Sequence, residues 1–132
     1  MLNIFIGFYP WKSLFWKISN KSIFITNKKN PSKLRKLISI YETYKVYIWG
    51  HKVSNNYLEV FNEFKIKPIR VEDGFMRSFG LGVDFVKPKS IVLDSCGIYY
   101  DSTKNSDLEN ILNNIFLTKK LINDTKFLIS KI

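Results

Sequence analysis

Pro68-Ile69-Arg70-Val71-Glu72-Asp73-Gly74-Phe75-Met76-Arg77-Ser78-Phe79-Gly80-Leu81-Gly82 joins a short apolar strand to two adjacent carboxylates and then to a polar, glycine-rich loop. Proline is tolerated at the first residue of a strand, where no ladder bond is asked of it. In an open α/β sheet, ligands bind in the crevice beyond the carboxyl ends of the strands. A strand that ends in acids and opens into such a loop therefore reads as one wall of a site. The same residue types also build a solvated turn, with Asp73 capping a short helix and Gly74 supplying an unusual backbone angle.

The residues before this segment alternate in type. Ile4-Phe5-Ile6-Gly7-Phe8 is a continuous apolar run closed by Pro10, which suits a buried strand. Trp11, Leu14, Phe15 and Ile18 fall at helical spacing. Ile23-Phe24-Ile25-Thr26 is a second strand, ended by the turn-rich Asn27-Lys28-Lys29-Asn30. Pro31 suits a helix start, and the helix after it carries Leu34, Leu37, Ile38 and Tyr41 on one face. Val46-Tyr47-Ile48-Trp49 is a third strand stopped by Gly50. Ser54 is placed to cap a helix that presents Tyr57, Leu58, Phe61 and Phe64 to the core. The strands are apolar without polar alternation, which predicts an α/β fold with a parallel, doubly wound sheet covered on both faces.

The second half reads differently. Ser90-Ile91-Val92-Leu93 is a strand, Asp94-Ser95-Cys96-Gly97 a tight turn with Gly97 available for a positive φ, and Ile98-Tyr99-Tyr100 a returning strand, together a β-hairpin after the acidic loop. Ser106-Asp107-Leu108-Glu109 has the form of a capping box. Leu108, Ile111, Leu112 and Ile115 make the stripe of the helix it opens. A further helix with Leu121, Leu128 and Ile132 lacks a stop signal, so more structure is expected to follow it.

The 132 residues fit one compact domain and are 45% hydrophobic, enough for a real core. A single cysteine, Cys96, excludes an internal disulfide, and a single histidine, His51, excludes a His-rich metal site. These fit a reducing cytoplasm. No signal peptide and no run of about 18 apolar residues is present. The net charge of +10 is unevenly placed: residues 1–70 hold 13 Lys/Arg against 3 acids, and residues 71–132 hold 8 against 8. That half favours an anionic partner, unless it only reflects a lysine-rich composition. No nucleic-acid reader motif is interleaved with the lysines.

Several residues are candidates for chemistry. Adjacent positions on a strand face opposite ways, so Glu72 and Asp73 are not a facing acid/base pair; one lines the crevice and the other braces the loop. Their alternative is an ion pair with Arg70 or Arg77. Arg77 and Ser78 suit a carboxylate or phosphate, and Gly80-Leu81-Gly82 lets backbone N–H groups approach an anion. No G-x-G-x-x-G follows the first strand, so a dinucleotide site is not indicated. His51 and Lys52 lie at the end of the third strand, beside the same crevice. Tyr99, Tyr100 and Asp101 suit a sugar site, although aromatic strand residues usually pack.

Gly-Phe-Tyr-Pro-Trp-Lys (7–12), Trp-Gly-His-Lys (49–52), the 71–82 block, Pro-Lys-Ser-Ile-Val-Leu-Asp (88–94), Gly-Ile-Tyr-Tyr-Asp (97–101) and Ser-Asp-Leu-Glu (106–109) occur in this order. With them the chain resembles the capsular polysaccharide biosynthesis and export family of bacterial β-Kdo glycosyltransferases, most specifically over residues 71–109. The resemblance implies two Rossmann-like halves and transfer of Kdo, an acidic eight-carbon sugar, from CMP-Kdo to a lipid-linked acidic saccharide at the cytoplasmic face of the inner membrane. It implies Glu72 and Asp73 as catalytic candidates, Glu72 as acid/base and Asp73 as loop organiser or second acid. Gly74, Arg77, Ser78, Gly80, His51, Lys52 and Tyr100 are the expected substrate contacts. Residues 1–115 are expected to form an acceptor-side domain and 116–132 a helix leading toward a nucleotide-sugar domain that this chain lacks. The expectation is a transferase fragment, inactive alone, with no metal or cofactor and no nucleic-acid partner, completed by a separate chain. The rival is a non-catalytic basic module that binds an anionic membrane surface or a capsule-assembly partner.

Overall fold

The computed structural model describes residues 1–9, 21–75 and 90–131. It contains, in chain order, β1 (Leu2–Ile6), β2 (Ser22–Ile25), α1 (Ser32–Ile40), β3 (Tyr44–Trp49), α2 (Asn55–Glu63), β4 (Ile69–Asp73), β5 (Ile91–Asp94), α3 (Asp107–Asn114) and α4 (Lys119–Ile129). The strands form one sheet in the order β2-β1-β3-β4-β5. The first four are parallel and β5 is antiparallel to β4. The α/β, mostly parallel reading therefore holds. The chain moves from β1 out to β2, then crosses back to lay β3 on the other flank of β1. That reversal creates a switch point at the carboxyl ends of β1 and β3.

Strand alternation sorts the core into two parts. Leu2, Ile4, Ile6, Ile25, Val46 and Ile48 face α1 and α2, whose Leu34, Leu37, Tyr57, Val60 and Phe61 complete that cluster. The other face is an aromatic slab. Phe5 stacks on Phe24 of β2 (4.9 Å between centroids) and on Tyr47 of β3 (4.7 Å), its register partners on either side. Phe8 meets Phe5 and Trp49 edge-on. The helix expected over 11–18 lies outside the described residues.

Four expectations need correction. In α2, Val60 is buried while Leu58 and Phe64 are exposed, because the inward arc is centred on Tyr57, Val60 and Phe61. Ser54 is the N-cap residue but makes no side-chain cap; its hydroxyl donates to the Lys29 carbonyl instead. The hairpin also has another partner. Residues 98–100 are not a strand, and β5 pairs with β4, so the antiparallel pair spans residues 74–90. Gly97 does not take a positive φ. Its missing side chain makes room for the Asn105 carbonyl, 2.6 Å from where a Cβ would sit.

The capping box is present: the Ser106 hydroxyl accepts from Glu109 N, and Glu109 accepts from Ser106 N. Yet α3 and α4 bury no residue. Ile111, Leu112, Phe116, Leu117, Phe127 and Ile129 are more than half exposed. No helix among the described residues is long and apolar enough to cross a membrane.

Tyr57 is fully buried in the α2 cluster, and its hydroxyl donates to both Asn27 O (2.8 Å) and Asn30 O (3.1 Å). Burial pushes its phenol up to about 12. Tyr57→Phe strands those carbonyls and is expected to cost about 1–2 kcal/mol of folding free energy, read from the urea midpoint at unchanged slope.

Candidate functional site

The parallel register brings the carboxyl ends of β1, β3 and β4 to a common level, and glycine turns the chain at two of them. Gly7 (φ 77°) and Gly50 (φ 70°) both occupy the left-handed region that favours glycine. Gly7 N–H donates to Ile25 O, and Gly50 N–H to Val71 O, so each turn is tied to the neighbouring strand. A Cβ on Gly50 would sit 3.6 Å from both Glu72 Oε2 and the Tyr100 hydroxyl. The turn after β3 is thus packed against the acid.

Glu72 and Asp73 are the last two residues of β4, still within the ladder and opposite Val92 and Ile91. The acids are strand residues and not the start of a loop. Alternation sends their side chains to opposite faces. Glu72 Oε2 accepts the Tyr100 hydroxyl proton at 3.0 Å. His51 Nδ1 lies 3.4 Å from the same phenol oxygen, with its ring edge-on to the Tyr100 ring. With the phenolic proton committed to Glu72, the phenol oxygen accepts from the Nδ1–H tautomer of His51. Burial, then the nearby Glu72 charge and its hydrogen bond, raise the Tyr100 phenol to about 12. Tyr100 is therefore a proton donor to the carboxylate throughout the neutral range.

The ion pair with Arg70, the alternative for Glu72, does not form. Arg70 Nη1 donates to the His51 carbonyl at 2.9 Å and so fixes the backbone of the β3 turn. Lys28, which the sequence reading placed in a turn without a role, is the basic residue it missed. Lys28 Nζ reaches across the end of β1 to donate to Trp49 O at 2.6 Å. Its stem fills the space above Gly7, where any side chain would collide with Lys28 Cε. No sequence signal marks this contact, because its acceptor is a main-chain carbonyl 21 positions away. Burial lowers the Lys28 pKa, Glu72 opposes that shift and Arg70 adds to it.

Tyr100 is held by a clasp between two acids. Asp94, fully buried at the end of β5, accepts from Cys96 N (3.0 Å) and Gly97 N (2.7 Å) through Oδ1, and from Asp107 N (3.0 Å) through Oδ2. Asp107 returns the contact by accepting from Ser95 N and Oγ. The 95–106 segment is thereby pinned to the start of α3 and carries Tyr100 toward Glu72.

Of the remaining expected contacts, Lys52 lines a cavity of about 270 Å³ beside His51 and Arg70. Gly74 is buried, and its N–H is spent on Ser90 O at the neck of the acidic loop. A side chain there would collide with Ser90, so the close approach of the two strands requires glycine at this position. Arg77, Ser78 and Gly80 lie outside the described residues. Cys96 is exposed, and Asp107, first through its hydrogen bond, raises its thiol pKa, which does not favour the thiolate. Among the described residues, no group of three or more His, Cys, Asp or Glu is placed to hold a metal ion.

Two outcomes follow from these contacts. Asp94→Ala removes the acceptor of three N–H groups, that of Gly97 buried and those of Cys96 and Asp107 partly so, and is expected to destabilise the fold by about 2–3 kcal/mol, with loss of the Tyr100 ring contacts in NOE spectra. For Lys28, the folded pKa is below the unfolded value of 10.5. The unfolded chain then binds more protons between the two values, so stability rises with pH in that window. The parent protein should gain on Lys28→Met as pH is raised toward 10.5 in paired thermal melts.

Residues 44–126 match the family described as capsule polysaccharide biosynthesis protein. A 65-residue stretch, 48% of this chain, is 45% identical to the capsule polysaccharide modification protein LipA of Neisseria meningitidis and covers 9% of that protein. A 50-residue stretch, 38% of this chain, is 48% identical to the lipopolysaccharide-processing protein LpsZ of Rhizobium meliloti and covers 11% of it. Both matches thus span only a small share of the relatives' length. Among solved structures, KpsC of Thermosulfurimonas dismutans, a β-Kdo 2,7 transferase, superposes with a TM-score of 0.64 at 24% identity, over 98% of this chain and 42% of that one. That likeness supports the fold. With more than half of its residues matched by the family, the chain belongs to the capsule polysaccharide biosynthesis proteins.

Proposed function

We propose that this chain supplies the acceptor-side half of a β-Kdo transferase, which moves Kdo from CMP-Kdo to a lipid-linked acidic saccharide during capsule synthesis. The observation that carries the reading is Glu72, set at the carboxyl end of β4, hydrogen-bonded to Tyr100 and within the field of Lys28. A carboxylate so placed suits proton transfer with a sugar hydroxyl, and His51 and Tyr100 suit its orientation. Asp73, on the other face, serves as organiser of the loop that follows. The structural neighbour, a β-Kdo 2,7 transferase, supports the substrate class.

A donor-binding half completes the site. The apolar faces of α3 and α4 suit docking of that half, because the neighbouring structure's chain is more than twice as long as the part matched here. The exposed lysines of the first half, Lys21, Lys29, Lys36 and Lys45 among them, suit an anionic inner-membrane surface and support peripheral attachment there.

The test is Kdo transfer to a glycolipid acceptor, with this chain alone and with a donor-binding half supplied in trans. Turnover is expected only in the mixture, and Glu72→Gln should lower it by about 10²–10⁴-fold. Equal turnover by Glu72→Gln would remove the assignment. Absence of turnover in every mixture, with binding to anionic liposomes retained, would favour the alternative of a non-catalytic basic membrane module.

A further inference from the structure

We infer that the hollow between the end of β4 and the 96–104 segment is an oxyanion subsite, which seats a phosphate or carboxylate group of the ligand on Arg70. The cavity of about 270 Å³ is lined by His51, Lys52, Arg70, Asp101 and Lys104, together with apolar and backbone surface. Three permanent cations thus face one carboxylate, and that carboxylate is turned elsewhere. Asp101 Oδ1 accepts from the Thr103 hydroxyl (2.6 Å) and Thr103 N (3.1 Å), which hold its pKa below the usual carboxylate range.

Arg70 makes no ion pair among the described residues and spends Nη1 on the His51 carbonyl. A guanidinium has five N–H donors in a planar fork that matches carboxylate and phosphate oxygens. Its position on a paired strand, opposite Ile48 and Asp94, gives the fork a rigid base. Asp101 offsets part of the Arg70 charge without an ion-pair contact, and one carboxylate shared among three cations leaves the hollow short of negative charge. Lys52 and Lys104 stand exposed on the rim, where they draw an anion inward. His51 belongs both to this hollow and to the Glu72–Tyr100 contact, so an anion seated here lies beside the acid. Only the identity of the ligand rests on the sugar-transfer reading; anion capture does not.

The full chain, labelled with ¹⁵N, is titrated at low ionic strength with inorganic phosphate and, separately, with acetate, following the Arg70 Nε–Hε resonance. A saturable shift with at least one of them is expected, and the tighter of the two names the oxyanion. Arg70→Gln should raise the dissociation constant by about tenfold or more and Lys104→Ala by a few-fold. Lys126→Ala, on exposed α4, should leave it unchanged. If Arg70→Gln does not fold, Lys104→Ala and Arg70→Lys decide, since a lysine keeps the charge and loses the fork. Absence of saturation, or affinity indifferent to Arg70 and Lys104, overturns the subsite. Anion binding at Arg70 with no response to a Kdo-terminated glycolipid keeps the subsite and removes the transferase reading. Glycolipid binding that leaves Arg70 unmoved does the reverse.

Discussion

The double-sided burial of β1 is the constraint on which the rest of the molecule depends. Its Ile4 and Ile6 enter the α1/α2 cluster, while Phe5 stacks between Phe24 and Tyr47. A strand with no solvent face cannot slip by one residue without exchanging its two side-chain sets. The parallel register on both flanks, Ile6 with Ile25 and Ile6 with Ile48, is therefore enforced by packing and not by hydrogen bonds alone. That register puts Gly7, Lys28 and Trp49 at one level. The site is a consequence of the core: what aligns Phe5 also aligns the groups above it.

The continuous apolar runs made the sheet legible. A parallel strand covered on both faces has no polar alternation, so Ile4-Phe5-Ile6 and Val46-Tyr47-Ile48 can be read directly. Residues 98–100 look equally strand-like and are not, because the decisive group is a carboxylate elsewhere. Asp94 takes the N–H groups of Cys96 and Gly97 and turns the chain before any ladder can form. Local pattern does not reveal which buried acid will capture which backbone. The pairing of Glu72 with Tyr100 was only half legible. Both were candidates, but 28 positions separate them and the contact needs the Asp94–Asp107 clasp. Lys28 was missed for a similar reason: its partner is a main-chain carbonyl, and main-chain partners leave no mark in a sequence.

The helices of the second half show how much of a helix is local. α3 has a complete capping box and α4 a Thr118 cap, and both carry amphipathic stripes. Such features are readable because they arise within a few residues of one another. Burial is not local. Helices of 8 and 11 residues are marginal in water unless an apolar face is covered. The start of α3 is anchored through Asp107 and Ser106, whereas Ile111, Leu112 and Phe116 are more than half exposed. Among the described residues, the side-chain anchoring of α3 is therefore concentrated in its first turn.

The charges at the carboxyl ends follow one rule: neighbours of opposite sign are each tied to something neutral. Arg70 and Glu72 share a face of β4, two residues apart, where a direct ion pair would be the ordinary outcome. Instead Arg70 goes to a carbonyl, Glu72 to a phenol and Lys28 to another carbonyl. Charge-assisted hydrogen bonds to neutral partners hold the three side chains in place and leave their charges uncancelled by contact. A closed ion pair would spend the carboxylate and the guanidinium on each other, and a ligand would have to break it before using either. With the charges separated in this way, a polar ligand meets an acid and two cations already oriented, and the reorganisation needed on binding is small. The desolvation borne by Lys28 and Arg70 is the energetic counterpart of that readiness. Packing alone would be better served by apolar residues at both positions, so the two cations at the end of the sheet are held there against a cost in desolvation.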